Sequence, residues 1–264
     1  MARFRPTTNG ERPTINSMNH TAFSVVILAQ FSRSRPLWTA LAVTLVFTGL
    51  ARWVRGVTFP GAMAGAVICF LLYSCAGPGV FFALVSVFAL TWITTRMGYR
   101  RKQRLGTAEN REGRTATQVL ANLAVSAGCA ALFAATARNV FLVAIAAALS
   151  EAAADTVSSE LGQARNEEAR LITTWESVPA GTDGGVSVAG TLGGIAAATL
   201  VSLVCALGSL VRLPQLGIPI LAGVIGMIAD SYLGALLERR KLLNNDWVNL
   251  LGTLTAAAVA IAIG

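Results

Sequence analysis

The sequence predicts an all-α polytopic membrane protein, a bundle of about seven transmembrane helices. Hydrophobic residues make up 54% of its 264 residues and charged residues only 13%, and the mean hydropathy is +0.61. This composition is too apolar for a soluble domain of that length. Uncharged runs long enough to cross roughly 30 Å of hydrocarbon recur along the chain, and this recurrence sets the number of helices.

The helices are predicted from the uncharged runs in order. A shorter span lies at about 37–51, and the run between Arg55 and Arg96 predicts a helical hairpin that turns at Gly77-Pro78-Gly79. The remaining runs lie at 115–137, 139–150, 184–211, 213–229 and 247–264, the second of them extending into Glu151 and Asp155. The first 35 residues are typical of a polar tail, so we expect a tail over 1–35 and a single transmembrane domain over 36–264.

The distribution of basic residues predicts the orientation. Seven of the 21 Lys and Arg residues lie at 96–114, which the positive-inside rule places in the cytoplasm. The connections at 52–57, 161–185 and 238–246 then face the cytoplasm too, whereas the arginines of the tail do not fit this count. The net charge of +8 follows from these short loops, and the absence of a basic stripe with aromatics argues against nucleic acid as a partner. We expect a multi-pass protein of a bacterial cytoplasmic membrane.

Several familiar catalytic motifs are absent from the sequence. There is no GxxxxGK[ST], HExxH or CxxC motif, and the single histidine, His20, lies in the predicted tail. The four cysteines fall in apolar runs without metal-ligand spacing and are expected to be buried thiols. Chemistry must therefore rest on carboxylates, hydroxyls, amides and arginines, a set suited to magnesium and phosphate.

One candidate site is the acidic end of the fifth span, "LSEAAADTVSSELG" at 149–162. Glu151, Asp155 and a following serine recur at helical spacing, whereas Glu160 lies about 140° from Asp155 on an ideal helix. Either the helix loosens near Ser158, or Glu160 serves a neighbouring loop. Acids within a bilayer segment are costly and usually functional, although a helix end near the headgroups can solvate one. Asp155 and Glu160 are candidate metal ligands.

A second candidate lies in "ILAGVIGMIADSYLGALLERR" at 220–240. Gly223, Gly226, Asp230 and Gly234 form one stripe along the helix. Small residues there would let a neighbouring backbone approach and would place the Asp230 carboxylate inside the bundle. The alternative is a packing seam whose acid bonds a neighbouring helix. Asp230 is a further candidate metal ligand.

The glycine-rich run "GTDGGVS" at 181–187 precedes an apolar helix. Its glycines would allow backbone amides to converge on an anion next to the positive end of the helix dipole. An acid at its centre, Asp183, fits phosphate if Mg²⁺ lies between them. The alternative is a loop in which Asp183 caps the next helix. The predicted phosphate cradle consists of Gly181, Thr182, Gly184, Gly185 and Ser187.

The predicted topology brings these polar residues to the cytoplasmic ends of their helices. Two amides, Asn122 and Asn245, join the acids and the glycine run there as candidate contacts to a cofactor. A site at the membrane edge can join a soluble nucleotide to a lipid headgroup, whereas transporters tend to place polar groups near the midplane. The basic stretch at 96–106 would either hold phosphate or act only as a topology signal.

Six stretches together resemble the membrane protein family that includes the plant phytyl-phosphate kinase of tocopherol synthesis and animal transmembrane protein 19. They are "TRMGYRRKQRLG" at 95–106, "RTATQVLAN" at 114–122, "AADTVSSELG" at 153–162, "LITTWESVPAGTDGGVSVAGTLGG" at 171–194, "GMIADSYLGALLE" at 226–238 and "NNDWVNLLGT" at 244–253. The resemblance covers about residues 40–260.

This resemblance implies a membrane kinase that transfers a phosphoryl group from CTP or ATP to an isoprenoid monophosphate such as phytyl phosphate. With Mg²⁺ as the inferred cofactor, Asp155, Asp183 and Asp230 would be the catalytic carboxylates. Phosphoryl transfer between polyanions needs mainly positioning and charge neutralisation. The rival hypothesis is a secondary transporter or flippase in which Asp155 and Asp230 carry protons or ions. The sequence predicts no oligomeric state.

Overall fold

The membrane-spanning helices follow the uncharged runs of the sequence. A computed structural model describes residues 37–165 and 168–264. The predicted tail, residues 1–35, and the predicted start of the transmembrane domain at residue 36 therefore lie outside the described residues. Within them the helices are α1 (Leu37–Trp53), α2 (Phe59–Ala76), α3 (Pro78–Arg96), α4 (Tyr99–Leu105), α5 (Ala116–Thr136), α6 (Val140–Ala164), α7 (Val188–Leu207), α8 (Gly217–Leu233) and α9 (Asn245–Ile263).

Seven helices in the described part of the chain are long and apolar enough to cross a membrane. This confirms the predicted bundle of about seven spans. The short run at 37–51, which brings the runs identified in the sequence to eight, forms the shorter apolar helix α1. The hairpin turn is also confirmed, because α2 ends at Ala76 and α3 begins at Pro78. Gly77 joins them with a φ of 90°, a conformation that glycine adopts without steric cost.

Helix α6 is the centre of the bundle. Of its apolar stretch 78% is buried, against 22–39% for the other six spans. It packs against α3, α5, α7, α8 and α9. Its sequence explains this position, because the run "AIAAALSEAAAD" presents mainly small side chains that let five neighbours approach closely. Polar groups on the buried side of α6, such as Glu151 and Glu160, therefore lie inside the protein.

The long connection between α6 and α7 contains a small antiparallel sheet that the all-α prediction did not include. Its strands are β1 (Ala169–Leu171), β2 (Ser177–Val178) and β3 (Gly185–Val186), in the order β2-β1-β3. Helical periodicity cannot reveal strands this short, since two or three residues give no pattern. The sheet holds the C-terminal part of the glycine-rich run, because β3 includes Gly185 and pairs with β1, and β2 ends three residues before the run begins.

Helix α8 continues beyond Leu233 as a π-helical turn, Gly234–Glu238. Such a turn widens the helix locally and is common at functional sites. It lies beside the glycine-rich run, because a Cβ atom placed on Gly184 would come 2.5 Å from the Ala235 nitrogen. The fold thus brings the α6–α7 connection and the end of α8 together.

Candidate functional site

A polar cavity of about 380 Å³ lies at the end of the bundle where α6 and α8 finish and α9 begins. The α4–α5 connection, the N-terminal turn of α5 and the glycine-rich run complete its walls. Its acidic lining residues are Glu109, Asp155, Glu160, Asp183, Asp230 and Glu238. The three aspartates predicted as catalytic therefore line one space, as the grouping of polar residues at one end of the bundle predicts.

Asp155 and Asp230 face each other across the contact between α6 and α8, and their carboxyl groups interact. The glycine stripe makes this contact possible, because a Cβ on Gly223 would come 3.0 Å from Ser150 Cβ and one on Gly226 would come 2.6 Å from Glu151 Cγ. The prediction that the stripe admits a neighbouring helix and places Asp230 inside the bundle agrees with this packing.

Electrostatics in the cavity favour a bound cation. The carboxyl group of Glu238 is close enough to those of Asp155 and Asp183 to be repelled by both. Arg114 is the cation that acts on Asp155. Several carboxylates at close range repel one another unless a cation lies among them, and one guanidinium does not balance this set.

Unpaired polar atoms also indicate a ligand. Within residues 37–165 and 168–264, four buried atoms near this site have no hydrogen-bond partner: Thr107 Oγ1, Arg114 Nε, Glu151 Oε1 and Asp230 Oδ2. Three of these side chains line the cavity, and Glu151 lies beside it, near Gly252. Buried polar atoms normally have a partner, so an ion, a ligand or water is expected at these positions.

The donor set fits Mg²⁺. In the described part of the chain no group of three or more acidic, histidine or cysteine side chains is placed to hold a metal ion by itself. Mg²⁺, however, usually takes one or two carboxylates and completes its shell with water and phosphate oxygens. Asp155 and the unpaired Oδ2 of Asp230 meet that requirement at the edge of the cavity. The magnesium assignment remains a prediction.

The glycine-rich run does not follow one of the two alternatives that the sequence suggested, a loop in which Asp183 caps the next helix. Ser187, not Asp183, caps α7, because its Oγ accepts a hydrogen bond of 3.1 Å from the Gly190 amide. The amides of Thr182 and Gly185 bond carbonyls within the loop. A phosphate cradle would therefore use the other amides of the run. Asp183 is exposed and lines the cavity, free of the capping role.

Left-handed backbone at two glycines holds this run in place. Gly181 has a φ of 88° and Gly184 a φ of 73°, values that other residues adopt only with strain. Gly181 packs against Thr107, and Gly184 packs against the π-helical turn at Ala235. Glycine is thus needed at both positions for two structural reasons, the left-handed backbone and the close packing. These reasons hold whether or not the run binds an anion.

Glu160 has a structural role. Its two carboxylate oxygens accept hydrogen bonds from Thr95 Oγ1, at 2.9 Å, and from the buried Lys102 ammonium. Helix α6 runs without a break from Val140 to Ala164, so the alternative in which Glu160 serves a neighbouring segment describes it better than a loosened helix. Its oxygens are already engaged, which disfavours the predicted metal-ligand role. The basic stretch forms α4 around this ion pair.

The two predicted amides occupy different places. Asn245 lines the polar cavity at the first turn of α9. Asn122 lines a second, largely apolar cavity of about 360 Å³ enclosed mainly by α1, α2, α3 and α5. The prediction that Asn122 joins the polar cluster does not match this placement, since the residue lies one turn of α5 beyond Gln118, which borders both cavities.

The lining residues that were not proposed as site residues from the sequence include Glu109, Arg114, Gln118 and Glu238. Arg114 directly precedes Thr115, the N-cap of α5, whose side chain and Gln118 form a capping box. The motif S/T-x-x-E/Q was readable in "TATQ" and would have located this helix start. Arg114 was counted only as a basic residue of a cytoplasmic loop.

Comparison with protein families matches residues 42–257 to the integral membrane protein family DUF92. The chain belongs to this family. The DUF92 match includes most or all of every helix that lines the two cavities, and it agrees with the range over which the six sequence stretches carry the resemblance.

Relatives extend the DUF92 assignment across distant organisms. The chain is 32% identical over 231 residues to an uncharacterized membrane protein of Methanocaldococcus jannaschii, covering 86% of this chain and 94% of that protein. It is 30% identical over 240 residues to the chloroplastic protein VTE6 of Arabidopsis thaliana, covering 86% and 72% respectively. An uncharacterized membrane protein of a Synechocystis strain is 31% identical over 202 residues, covering 75% and 78%. No solved structure matches the chain.

Proposed function

We propose that this DUF92 protein is a membrane kinase that transfers a phosphoryl group from CTP or ATP to an isoprenoid monophosphate, giving a diphosphate. The observation that carries the proposal is the polar cavity at one end of the bundle, where Asp155, Asp183 and Asp230 meet a glycine-rich loop. The basic connection with α4 lies at the same end, which supports a cytoplasmic site open to nucleotide. The family resemblance to phytyl-phosphate kinase supplies the substrate class.

Each group has a role that its position allows. Asp155 and Asp230 would hold Mg²⁺, which when bound neutralises charge on the triphosphate. Asp183 would act on the donor phosphates through Mg²⁺ rather than directly. The amides of the 181–187 run that are not used within the loop or the sheet would contact these phosphates from the exposed side of the cavity. Arg114 lies opposite Asp155 and carries the positive charge that an acceptor phosphate requires. Transfer needs no activating base, because the attacking phosphate oxygen is already ionised.

Labelled phosphoryl transfer tests the proposal directly. The purified protein in lipid is incubated with Mg²⁺, CTP or ATP labelled at the terminal phosphate, and phytyl or geranylgeranyl monophosphate. We expect labelled lipid diphosphate from the native protein and none from an Asp155→Asn variant that unfolds at the same temperature. Absence of label with either nucleotide and either lipid, from folded native protein, would exclude this reaction.

A secondary transporter is the second candidate, because Glu151 places another acid deep in the bundle. This residue is 1% exposed, lies one turn before Asp155 on α6, and shares the surroundings of Gly252 with Asp230. A line of buried acids can carry protons or cations through a bundle. Net flux of an ion across liposomes that contain the protein, lost in Glu151→Gln, would favour this function over phosphoryl transfer.

A further inference from the structure

The apolar cavity has the properties of a binding site for a hydrocarbon chain. It lies inside the bundle, with walls that include Phe47 from α1, Leu84 and Phe88 from α3, and Leu123 from α5. Phe47 packs edge to face against Phe88 with ring centroids 5.5 Å apart, which holds α1 against α3 on one side. Ligand sites are typically concave and mainly apolar, with a few polar groups at one end.

Some polar lining residues of this cavity, including Arg55, Arg96 and Arg111, belong to it alone, and others are shared with the polar cavity. Glu109, Arg114, Gln118 and Thr156 border both spaces. Arg114 Nη2 lies 3.4 Å from Thr156 Oγ1, while its buried Nε has no partner in the described part of the chain. A cation with free donor capacity therefore lies at the boundary between an apolar space and a space lined by acids.

We infer that the apolar cavity holds the hydrocarbon chain of a lipid monophosphate, with the phosphate at Arg114. This inference rests on the proposed function, for which it specifies where the acceptor lies. The phosphate needs a cation and a polar surface, the chain needs apolar walls, and Arg114 lines both the apolar and the polar cavity. The reactive end of the lipid then faces Asp155 and the glycine-rich run, and the rest of the lipid points away from them.

Gly65 provides a direct way to shorten this cavity. It lines the cavity from α2, and a Cβ atom added there would have only Val119 Cγ1 nearby, at 4.0 Å. A leucine at this position would extend into the space that the chain occupies without meeting backbone. Gly128 on α5 is the matched control, because it is exposed, has open space around it and lines neither cavity.

The first experiment locates the chain without requiring turnover. The full-length protein in lipid nanodiscs is irradiated with geranylgeranyl monophosphate that carries a diazirine on its chain, and the labelled peptides are sequenced. We expect labelling of the cavity walls in α1, α2, α3 and α5, and weaker labelling by the corresponding alcohol or after Arg114→Gln. Labelling confined to the outer, lipid-facing surface, or equal labelling by the alcohol, would overturn the inference.

The second experiment measures selectivity for chain length. In Gly65→Leu we expect the affinity for geranylgeranyl monophosphate to fall about tenfold, the loss that follows when roughly two methylene groups are excluded from burial. Affinity for isopentenyl monophosphate should stay unchanged, as should both affinities in Gly128→Leu. An equal loss for both lipids, or no loss for either, would contradict the assigned position of the chain.

The two proposals fail in different ways. Cavity labelling by the lipid phosphate without any transfer from CTP or ATP would retain the lipid site and exclude the kinase. Transfer with labelling elsewhere would retain the kinase and exclude this lipid site.

Discussion

The two cavities of this bundle have similar volumes, about 380 and 360 Å³, but opposite linings. One is formed by the ends of α6 and α8, the start of α9 and a loop, and it collects acids and glycines. The other is formed mainly by α1, α2, α3 and α5, and it collects aromatic and aliphatic side chains. Together they have the polarity of an amphiphile such as a lipid phosphate.

Besides the residues that line both cavities, an ion pair between Lys102 and Glu160 lies between them. Thr95 faces the apolar cavity and Glu160 faces the polar one, and both contact each other and Lys102. Acids near one end of this membrane bundle therefore do not form a single functional class. Asp155 and Asp230 line the polar cavity and are available to a ligand there, whereas the carboxylate of Glu160 is paired with Lys102.

The largest effect is expected from Asp230→Asn. The change keeps the side-chain volume but removes the negative charge of a carboxylate that lines the cavity and whose Oδ2 atom has no hydrogen-bond partner among the described residues. Magnesium-dependent phosphoryl transfer should fall by about a thousandfold, the scale of losing a main charge-stabilising group. The remaining aspartate outside the two cavities, Asp246, provides the control Asp246→Asn, which should retain transfer. Full activity of Asp230→Asn would remove this residue from the site.

Next in size is the effect of Lys102→Met on stability. Lys102 is fully buried, so its loss leaves Glu160 as an uncompensated buried charge, at a cost of about 3–5 kcal/mol. Thermal unfolding in detergent should show a clear decrease, and the double variant with Glu160→Gln should recover part of it. Lys241→Met, at an exposed position, is the control. Unchanged stability of Lys102→Met would contradict a structural role for the ion pair.

The sequence predicted the architecture well, because long uncharged runs leave few alternatives to membrane-spanning helices. It also predicted that a neighbouring helix approaches the stripe at Gly223 and Gly226 and that Asp230 lies inside the bundle. Both inferences depend on patterns within single helices.

The placements that the sequence did not reveal depend on contacts between elements. The Glu160 partner, Lys102, is 58 residues earlier and reads as a topology signal in the sequence. The placement of Asn122 in the apolar cavity depends on how α5 is rotated against α2 and α3, which no local pattern specifies. The cap at Ser187 was obscured because Asp183 is an equally good cap by residue type.

A smaller effect is expected from Gly184→Ala. Its left-handed φ of 73° and its close approach to Ala235 both oppose a side chain. Gly106→Ala is the matched control, since Gly106 has a φ of 75° but nothing within 4 Å. The control should lose about 1–2 kcal/mol of stability from backbone strain alone. Gly184→Ala should lose more, and transfer should fall about tenfold. Equal losses in the two variants would argue against docking of the loop on α8.

The smallest effects separate the two cavities most sharply. Asn245→Ala removes an amide from the polar cavity and should raise the KM for nucleotide by roughly threefold to tenfold, the scale of one hydrogen bond. Asn122→Ala removes an amide from the apolar cavity and should leave the nucleotide KM unchanged while it alters the KM for the lipid. Steady-state kinetics with each substrate varied in turn distinguish these results. A higher nucleotide KM in Asn122→Ala would mean that the nucleotide extends from the polar cavity into the apolar one. Arg114 would then not separate a nucleotide site from a lipid site.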